Sequence, residues 1–440
     1  MVMQPASPLL LDAQWSDLTA LVSTAIDLEA TARTSGALVR RRGIRSAETL
    51  LRLALTYGPG GLSLRGVAAW AGVSGLADLS DTAVMNRLRH AAGWLGEVAG
   101  ALLRRAAAAS PAPGPLPGRR LRIVDASTVT GPGGRPKWRL HASYDPVAGR
   151  FTGIELTDDR GAEGFGRTAW QPGEVALGDR CYARPPALRR LLAAGIDFIV
   201  RTGWTRLRLL EPDGAPVAWE RIFASLPIGG VTERAVSVDY SGNGARSRGK
   251  AAFPVRLVVL RLAPAAAARA AKAQHRRQNR CRSHRPLQPL TVQATGYLML
   301  VTSLPAEVPA ADVLEAYRLR WQVELAFKRL KSLLGIARLP VRSEALARSW
   351  LFAHLIMALL IEDASKELLT SHPQQPATAS CSTSLWRITQ ALHHTLLAAI
   401  RGLSSLAALL GAADVLDRHL RERCRRRCSQ FDAARSHAHV

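Results

Sequence analysis

The chain has 440 residues, 48% of them hydrophobic, enough to fold two to four domains and too many for wholesale disorder. Its 59 Lys+Arg against 34 Asp+Glu give a formal net charge of +25, and a surplus of that size favours a polyanionic partner, because each cation placed on a phosphate releases a condensed counterion. A GC-rich genome would account for arginine over lysine but not for the shortage of acids, so nucleic acid is the expected partner ahead of a membrane surface.

Residues 1–115 read as helical, with Ala and Leu at helical spacing. Within them Ser63–Ser74 is an amphipathic helix, and Ser80 or Asp81 caps a second one over Thr82–Leu95 that carries Asn86, Arg87, Arg89 and His90. Two short helices around a Gly-containing turn outline a helix-turn-helix, whose second helix would enter the major groove. The Pro- and Gly-rich Ser110–Gly118 is a linker.

Strands follow over 119–201. Leu121–Val124 is short and apolar and leads into Asp125; Trp138–Tyr144 and Phe151–Leu156 are joined by the turn Asp145–Gly149. Glu174–Leu177 is a fourth strand, Pro186–Ala194 a helix and Asp197–Arg201 a fifth strand, which makes a mixed α/β sheet. Residues 202–293 form a basic, β-rich insertion with strands at Ala235–Tyr240 and Pro254–Leu262. Between Tyr240 and Ala306 there are twelve Lys/Arg and no acid, seven of the cations falling in Arg269–Arg285. That last run by itself reads as a solvated loop, whereas the acid-free stretch as a whole suits a surface laid along phosphates.

The core resumes over 294–345 with the strand Tyr297–Thr302 and a long helix, Ala310–Gly335. With Tyr317 at zero, Arg320, Glu324 and Lys331 fall at roughly −60°, −20° and −40°, with Trp321 and Lys328 at the edge of this stripe and Leu319, Val323, Ala326, Leu330 and Leu333 opposite. Surface helices mix Glu with Lys and Arg for weak pairing, but a lone carboxylate among cations and aromatics suits a groove where phosphates are held and bases stack. Facing phosphate, Glu324 makes sense with a divalent cation between them. Asp125 and Asp179 each follow a buried strand, the position of a further oxygen ligand at a sheet rim; either aspartate alone reads as a turn residue, the pair with Glu324 as a metal site.

From 346 to 440 the chain reads as helical and closes with a basic tail around Arg421–Arg427. Its most apolar run, Leu351–Ile361, has about half the length of a membrane-spanning helix and is closed by Glu362 and Asp363. With no signal-peptide pattern at the start, the expectation is a soluble cytoplasmic protein without a membrane partner, associated with the nucleoid through DNA. The five cysteines, including the Cys281/His284 and Cys424/Cys428 pairs, read as free thiols rather than as disulfides or zinc ligands.

The spacing Tyr317-x2-Arg320-x3-Glu324-x6-Lys331 resembles the signature helix of the insertion-sequence-four family of DDE transposases. The contexts Val124-Asp125-Ala-Ser-Thr-Val129, with Trp138-Arg-Leu-His141 and Tyr144-Asp145 after it, and Pro172–Tyr182 around Asp179 resemble the family too, over roughly Leu121–Leu334. Ala126 and Cys181 stand where such families commonly carry Gly. The resemblance implies an RNase H-like mixed-sheet catalytic core interrupted by a β-rich insertion, with helical N- and C-terminal domains. It implies that Asp125, Asp179 and Glu324 hold the divalent metals, and that Tyr317, Arg320 and Lys331 contact phosphates at the element's end while Trp321 packs on a displaced base. Ligand hardness makes two Mg²⁺ ions the expectation, with Mn²⁺ able to substitute. It further implies cut-and-paste transposition of double-stranded DNA through hairpin ends. Two ends must be brought together, so a homodimer on DNA is expected, with the helical C-terminal part as the candidate contact. Two other readings stay open: a DNA-binding regulator derived from a transposase, and a stand-alone RNase H-like nuclease.

Overall fold

The computed structural model describes residues 8–39, 41, 43–73, 76–108, 114–135, 137–240, 252–280, 287–371, 381–402 and 421–423. Six helices come first: α1 (Pro8–Ser23), α2 (Leu28–Thr34), α3 (Ala47–Tyr57), α4 (Leu64–Val73), α5 (Asp81–His90) and α6 (Ala92–Ala108). Side chains cap three of them: Asp27, Ser46 and Ser80 accept from Ala30, Thr49 and Ala83 N–H respectively, each satisfying a donor that the first helical turn leaves free. The helix expected over Thr82–Leu95 stops at His90, and Leu95 belongs to α6.

A mixed sheet follows, built by β1 (Arg120–Thr130), β2 (Lys137–Asp145), β3 (Arg150–Asp158), β4 (Glu174–Gly178), α7 (Pro185–Ala193) and β5 (Asp197–Arg201). The β2–β3 turn forms as its sequence predicts: Asp145 Oδ1 accepts from Val147 and Ala148 N–H at 3.0 and 2.9 Å, and Gly149 takes φ +70°. Next come β6 (Leu209–Leu210), α8 (Trp219–Ser225), β7 (Val231–Val238), β8 (Phe253–Arg261), α9 (Pro264–Arg280), α10 (Pro289–Gln293) and β9 (Tyr297–Thr302). The sheet has nine strands in the order β3-β2-β1-β4-β5-β9-β8-β7-β6, with β1, β4 and β5 parallel and the remaining pairings antiparallel. The strands of the 202–293 segment thus extend the same sheet through β9, which pairs with β5 on one side and β8 on the other. Arg269–Arg280, expected as loop, is helical within α9. Seven of the 17 residues of α9 are alanine, a composition that favours helix over loop once a neighbour is available to pack on.

The chain ends in α11 (Ala310–Arg318), α12 (Trp321–Ser332), α13 (Glu344–Ser371), β10 (Cys381–Thr383), α14 (Leu385–Arg401) and β11 (Arg421–Arg423), with β10 and β11 paired. Helices from both ends of the sequence share one core: Arg52 Nε of α3 donates to Ile400 O at 2.9 Å, and Arg401 Nη2 donates to Gly60 O at 3.1 Å. This core also covers one face of the sheet through Ile123, Leu177 and Ile199, while Val124, Ala176, Phe198 and Val200 face a second core under α7 and α8. By length and composition the stretch Glu344–Thr370 of α13 could cross a membrane, which extends well beyond the apolar run read from the sequence; here 78% of its most apolar window is buried within the chain, as the central helix of the helical layer. Asp363 on α13 joins that layer to the sheet, accepting from Arg150 Nη2 at 2.6 Å and from Arg105 of α6.

Candidate active site

Asp125 lies in the middle of a long strand rather than at the end of a short one. Parallel pairing of β1 with β4 stops at Ile123–Leu177, while β1 continues to Thr130 paired with β2. Carried two residues further, that register sets Asp125 level with Asp179, just past the last residue of β4. Because side chains alternate along a strand, Asp125 follows Leu121 and Ile123, and Asp179 follows Val175 and Leu177, toward the core formed with the helices. A polar pair therefore sits at the carboxyl end of a parallel strand, where the sheet opens.

Glu324 reaches the same side from α12. Val323, Ala326, Phe327 and Leu330 of that helix are buried in the shared core, which fixes its rotation over β1. Both approaches to α12 are tied to the sheet. Before α11, Arg256 of β8 donates to Leu304 O at 3.0 Å and Val308 O at 2.9 Å; after α12, Leu339 N–H donates to Thr130 O at 2.9 Å. A strand of the basic segment thus helps to aim the helix that carries Glu324.

The single long helix expected over Ala310–Gly335 is two helices. At Leu319 and Arg320 the backbone closes tighter, 3₁₀-type bonds, with Leu319, Arg320 and Gln322 N–H donating three residues back. Each such step turns the chain by about 120° rather than about 100°, so the stripe is rotated at its start. Tyr317 accordingly is buried at 7% exposure rather than open on the polar face, and Arg320 leans over its ring, 5.9 Å from the centroid. Trp321 is 49% exposed, and Leu333, expected in the core, is half-buried. Lys331 stands about 10 Å along the helix from Glu324, half-buried, its amine held below the usual range by burial.

Arg320 connects the acids. Its Nη2 donates to Glu324 Oε1 at 2.5 Å, and its Nη1 stands 3.8 Å from Asp125 Oδ2. Burial pushes the Asp125 carboxyl up to about 6; the Ala126 N–H, donating at 2.8 Å, and the Arg320 charge pull it back, while the neighbouring Asp179 and Glu324 push it up again. Asp179 Oδ1 accepts from Cys181 N–H at 2.7 Å, which holds the carboxylate at the mouth of its loop. Cys181 is a free, exposed thiol, as expected. A cavity of about 550 Å³ over β1–β3 reaches Asp125, walled by the buried Arg122 and His141.

Among the described residues no three acidic, histidine or cysteine side chains are drawn together tightly enough to enclose a metal ion. The chemistry of the donors nevertheless fits a hard divalent cation: three carboxylates converge on one side of the sheet, with a guanidinium supplying the positive charge they require. Reading the sequence missed three arginines beside this cluster, Arg180, Arg201 and Arg277. Arg180 had a signal, standing next to Asp179, but the other two come close only in three dimensions. The Cys281/His284 and Cys424/Cys428 pairs lie outside the described residues.

Residues 116–360 match the family model described as the transposase DDE domain. The chain is 43% identical over 363 residues to InsL, a transposase for insertion sequence element IS186A of Escherichia coli (strain K12), covering 82% of this chain and 96% of that one. It is 43% identical over 364 residues to the transposase for insertion sequence element IS421 of Escherichia coli, with the same coverage. A family match over more than half the chain, containing all three acids, and relatives matched over nearly their whole length place this protein among the DDE-domain transposases of insertion sequences, enzymes that act on DNA.

Proposed function

We propose that this transposase cuts its element free and pastes it elsewhere, with Asp125, Asp179 and Glu324 as the ligands of two divalent metal ions, Mg²⁺ by preference. The supporting observation is the level placement of Asp125 and Asp179 on adjacent parallel strands, with Glu324 tied to Asp125 through Arg320. When bound, the ions would activate an attacking oxygen and offset charge on the leaving one, so one site could serve hydrolysis and strand transfer in turn. Around them, Arg320 moves from the carboxylates to a DNA phosphate, Tyr317 packs beneath it, and Lys331 holds a phosphate further along α12. Exposed Trp321 offers a stacking face for a base displaced when the end is bent into a hairpin, the step that the Tyr317–Lys331 spacing of insertion-sequence-four enzymes suggests.

The helix pair α4–α5 is the proposed DNA-end reader. Val84 and Leu88 of α5 are buried while Thr82, Asn86 and His90 are exposed along one face, suited to a groove. Two element ends require two active sites, so a homodimer on double-stranded DNA is the working assembly, acting in the cytoplasm on the nucleoid. The test is a supercoiled plasmid carrying the element's own ends, incubated with the purified protein in Mg²⁺ or EDTA beside Glu324→Gln. Metal-dependent cleavage at the ends by wild type alone, with hairpin or joined products, is the expected result. Tight end binding without cleavage in Mg²⁺ or Mn²⁺ would overturn it.

A further inference from the structure

Three arginines from separate elements gather on the far side of Asp179 from Asp125's strand: Arg180 in the loop after β4, Arg201 at the end of β5, and Arg277 on α9. None of the three forms an ion pair among the described residues. Nε of Arg180 and of Arg201 are both buried without a hydrogen-bond partner. Burial holds the Arg180 guanidinium below its usual range; the charges of Arg201 and Arg277 lower it further, while Tyr317 and Asp179 pull it back, so Arg180 lies within electrostatic reach of both other cations. The cluster also adjoins the catalytic helices, since Arg201 and Asp179 both act on Tyr317.

The cluster is held in place from below. Arg206 donates to Arg180 O at 3.1 Å and to Cys181 O at 3.3 Å, and Arg184 Nε donates to Cys181 O at 3.0 Å. These bonds fix the backbone of the loop that carries Arg180. Like charges kept together and partly desolvated, with no carboxylate ion-paired to them among the described residues, are costly unless an anion joins them.

The way α9 sits explains how Arg277 arrives. Its half-buried positions Ala267, Ala270, Ala271, Gln274 and Gln278 form one seam, which packs on the Ala294–Gly296 turn, while Arg269, Lys272 and Arg277 are exposed. The helix is therefore a basic arm fixed along one side and open along the other.

We infer that α9 lies over the DNA backbone beside the acids, and that Arg277, Arg180 and Arg201 together hold one phosphodiester group of the strand being processed. The inference rests on the reading of the protein as a DNA-end-cutting enzyme. Guanidinium forks suit phosphate oxygens, and a shared phosphate removes the repulsion among the three. The segment between β5 and β9 thereby acts as part of the DNA-binding cleft as well as a sheet extension.

The test uses the full chain and a fluorescent duplex of the element's end, in EDTA so that no cutting occurs, with affinity measured across a salt series. Arg277 is exposed, so Arg277→Ala is expected to melt like wild type. Its log Kd against log salt should lose about one in slope, and Arg277→Lys should restore most of it. Lys366→Ala on α13 removes the same charge as a control and should leave the slope unchanged. A slope and affinity for Arg277→Ala equal to both wild type and the control would overturn the α9 assignment while leaving metal-dependent cleavage by wild type intact. Failure of wild type both to bind and to cut the end would overturn the underlying reading as well.

Discussion

Arg320 stands between Asp125 and Glu324, bonded to Glu324 at 2.5 Å and 3.8 Å from Asp125. In the DNA-free protein it supplies the positive charge that the two carboxylates need. Arg320→Ala is expected to lower stability in EDTA by about 1.5–3 kcal/mol, the scale of a hydrogen bond between charged groups. Adding Mg²⁺ should recover part of that loss, because an ion bound to the folded state stabilises it. Thermal melts in EDTA and in Mg²⁺ decide the matter; an equal deficit in both would argue that the ion does not bind these acids.

Asp125→Asn keeps the shape of the side chain and removes its charge. End cleavage in Mg²⁺ should fall below detection while duplex binding in EDTA stays within a few-fold. The folded protein should also be more stable near neutral pH, since burial penalises the Asp125 carboxylate. Loss of duplex binding in the variant would mean that the substitution has damaged the fold.

Asp363 accepts from Arg150, which is buried, and from Arg105, and so ties the sheet to two helices of the helical layer. Removing one member of such a group leaves the other charges uncompensated, so Asp363→Asn should cost about 3–5 kcal/mol in chemical denaturation. A loss under about 1 kcal/mol would show that solvent screens the pair.

Next to it, Glu362 accepts from Phe151 N–H at 3.1 Å, and burial pushes its carboxyl up to about 8, with Arg150 pulling it back. A carboxyl whose folded value lies above its unfolded one is favoured neutral in the fold. Its contribution is complete below about pH 4.5 and is lost as pH rises toward about 8. Glu362→Gln should therefore flatten the pH dependence and gain on wild type across that window. The gain should be about 2–3 kcal/mol by pH 8 after allowing for the part of the residue that stays exposed. Denaturant midpoints at pH 5 and pH 8 test it, and a parallel decline in both proteins would rule this group out as the source.

Trp321 is exposed and touches the fold lightly, so Trp321→Ala should change stability by less than about 0.5 kcal/mol. If the ring stacks on a displaced base, binding to a duplex end pre-opened at its terminal step should weaken by about 1–3 kcal/mol. Comparison with a fully paired end isolates that effect; equal losses on both would point to backbone contact instead.

Much of the sheet was legible because its signals are local. β5 and β9 have the limits read from alternation and turn residues, and β2, β3 and β4 differ by one or two residues at their ends. The extent of β1 was not legible: the apolar run that marks the strand ends at Val124, and the long antiparallel partner β2 keeps Asp125–Thr130 extended beyond it. The break at Leu319–Arg320 was hidden as well, since no Pro or Gly marks it. Its cause is packing, with Tyr317 and Val323 buried on either side of the tightened turn.

By itself the sequence determined the charge surplus that favours a polyanion, the run of strands and helices, and the spacing of acids, cations and aromatics that points to the chemistry. Those are properties of residue type and of short-range periodicity, which the local chain carries. The tertiary structure decided which residues meet: the parallel register that sets Asp125 beside Asp179, the insertion of Arg320 between two acids, and the gathering of Arg180, Arg201 and Arg277 from elements far apart in the chain. Strand order and helix rotation follow from burying two cores on opposite faces of one sheet, a constraint that acts on the whole chain at once.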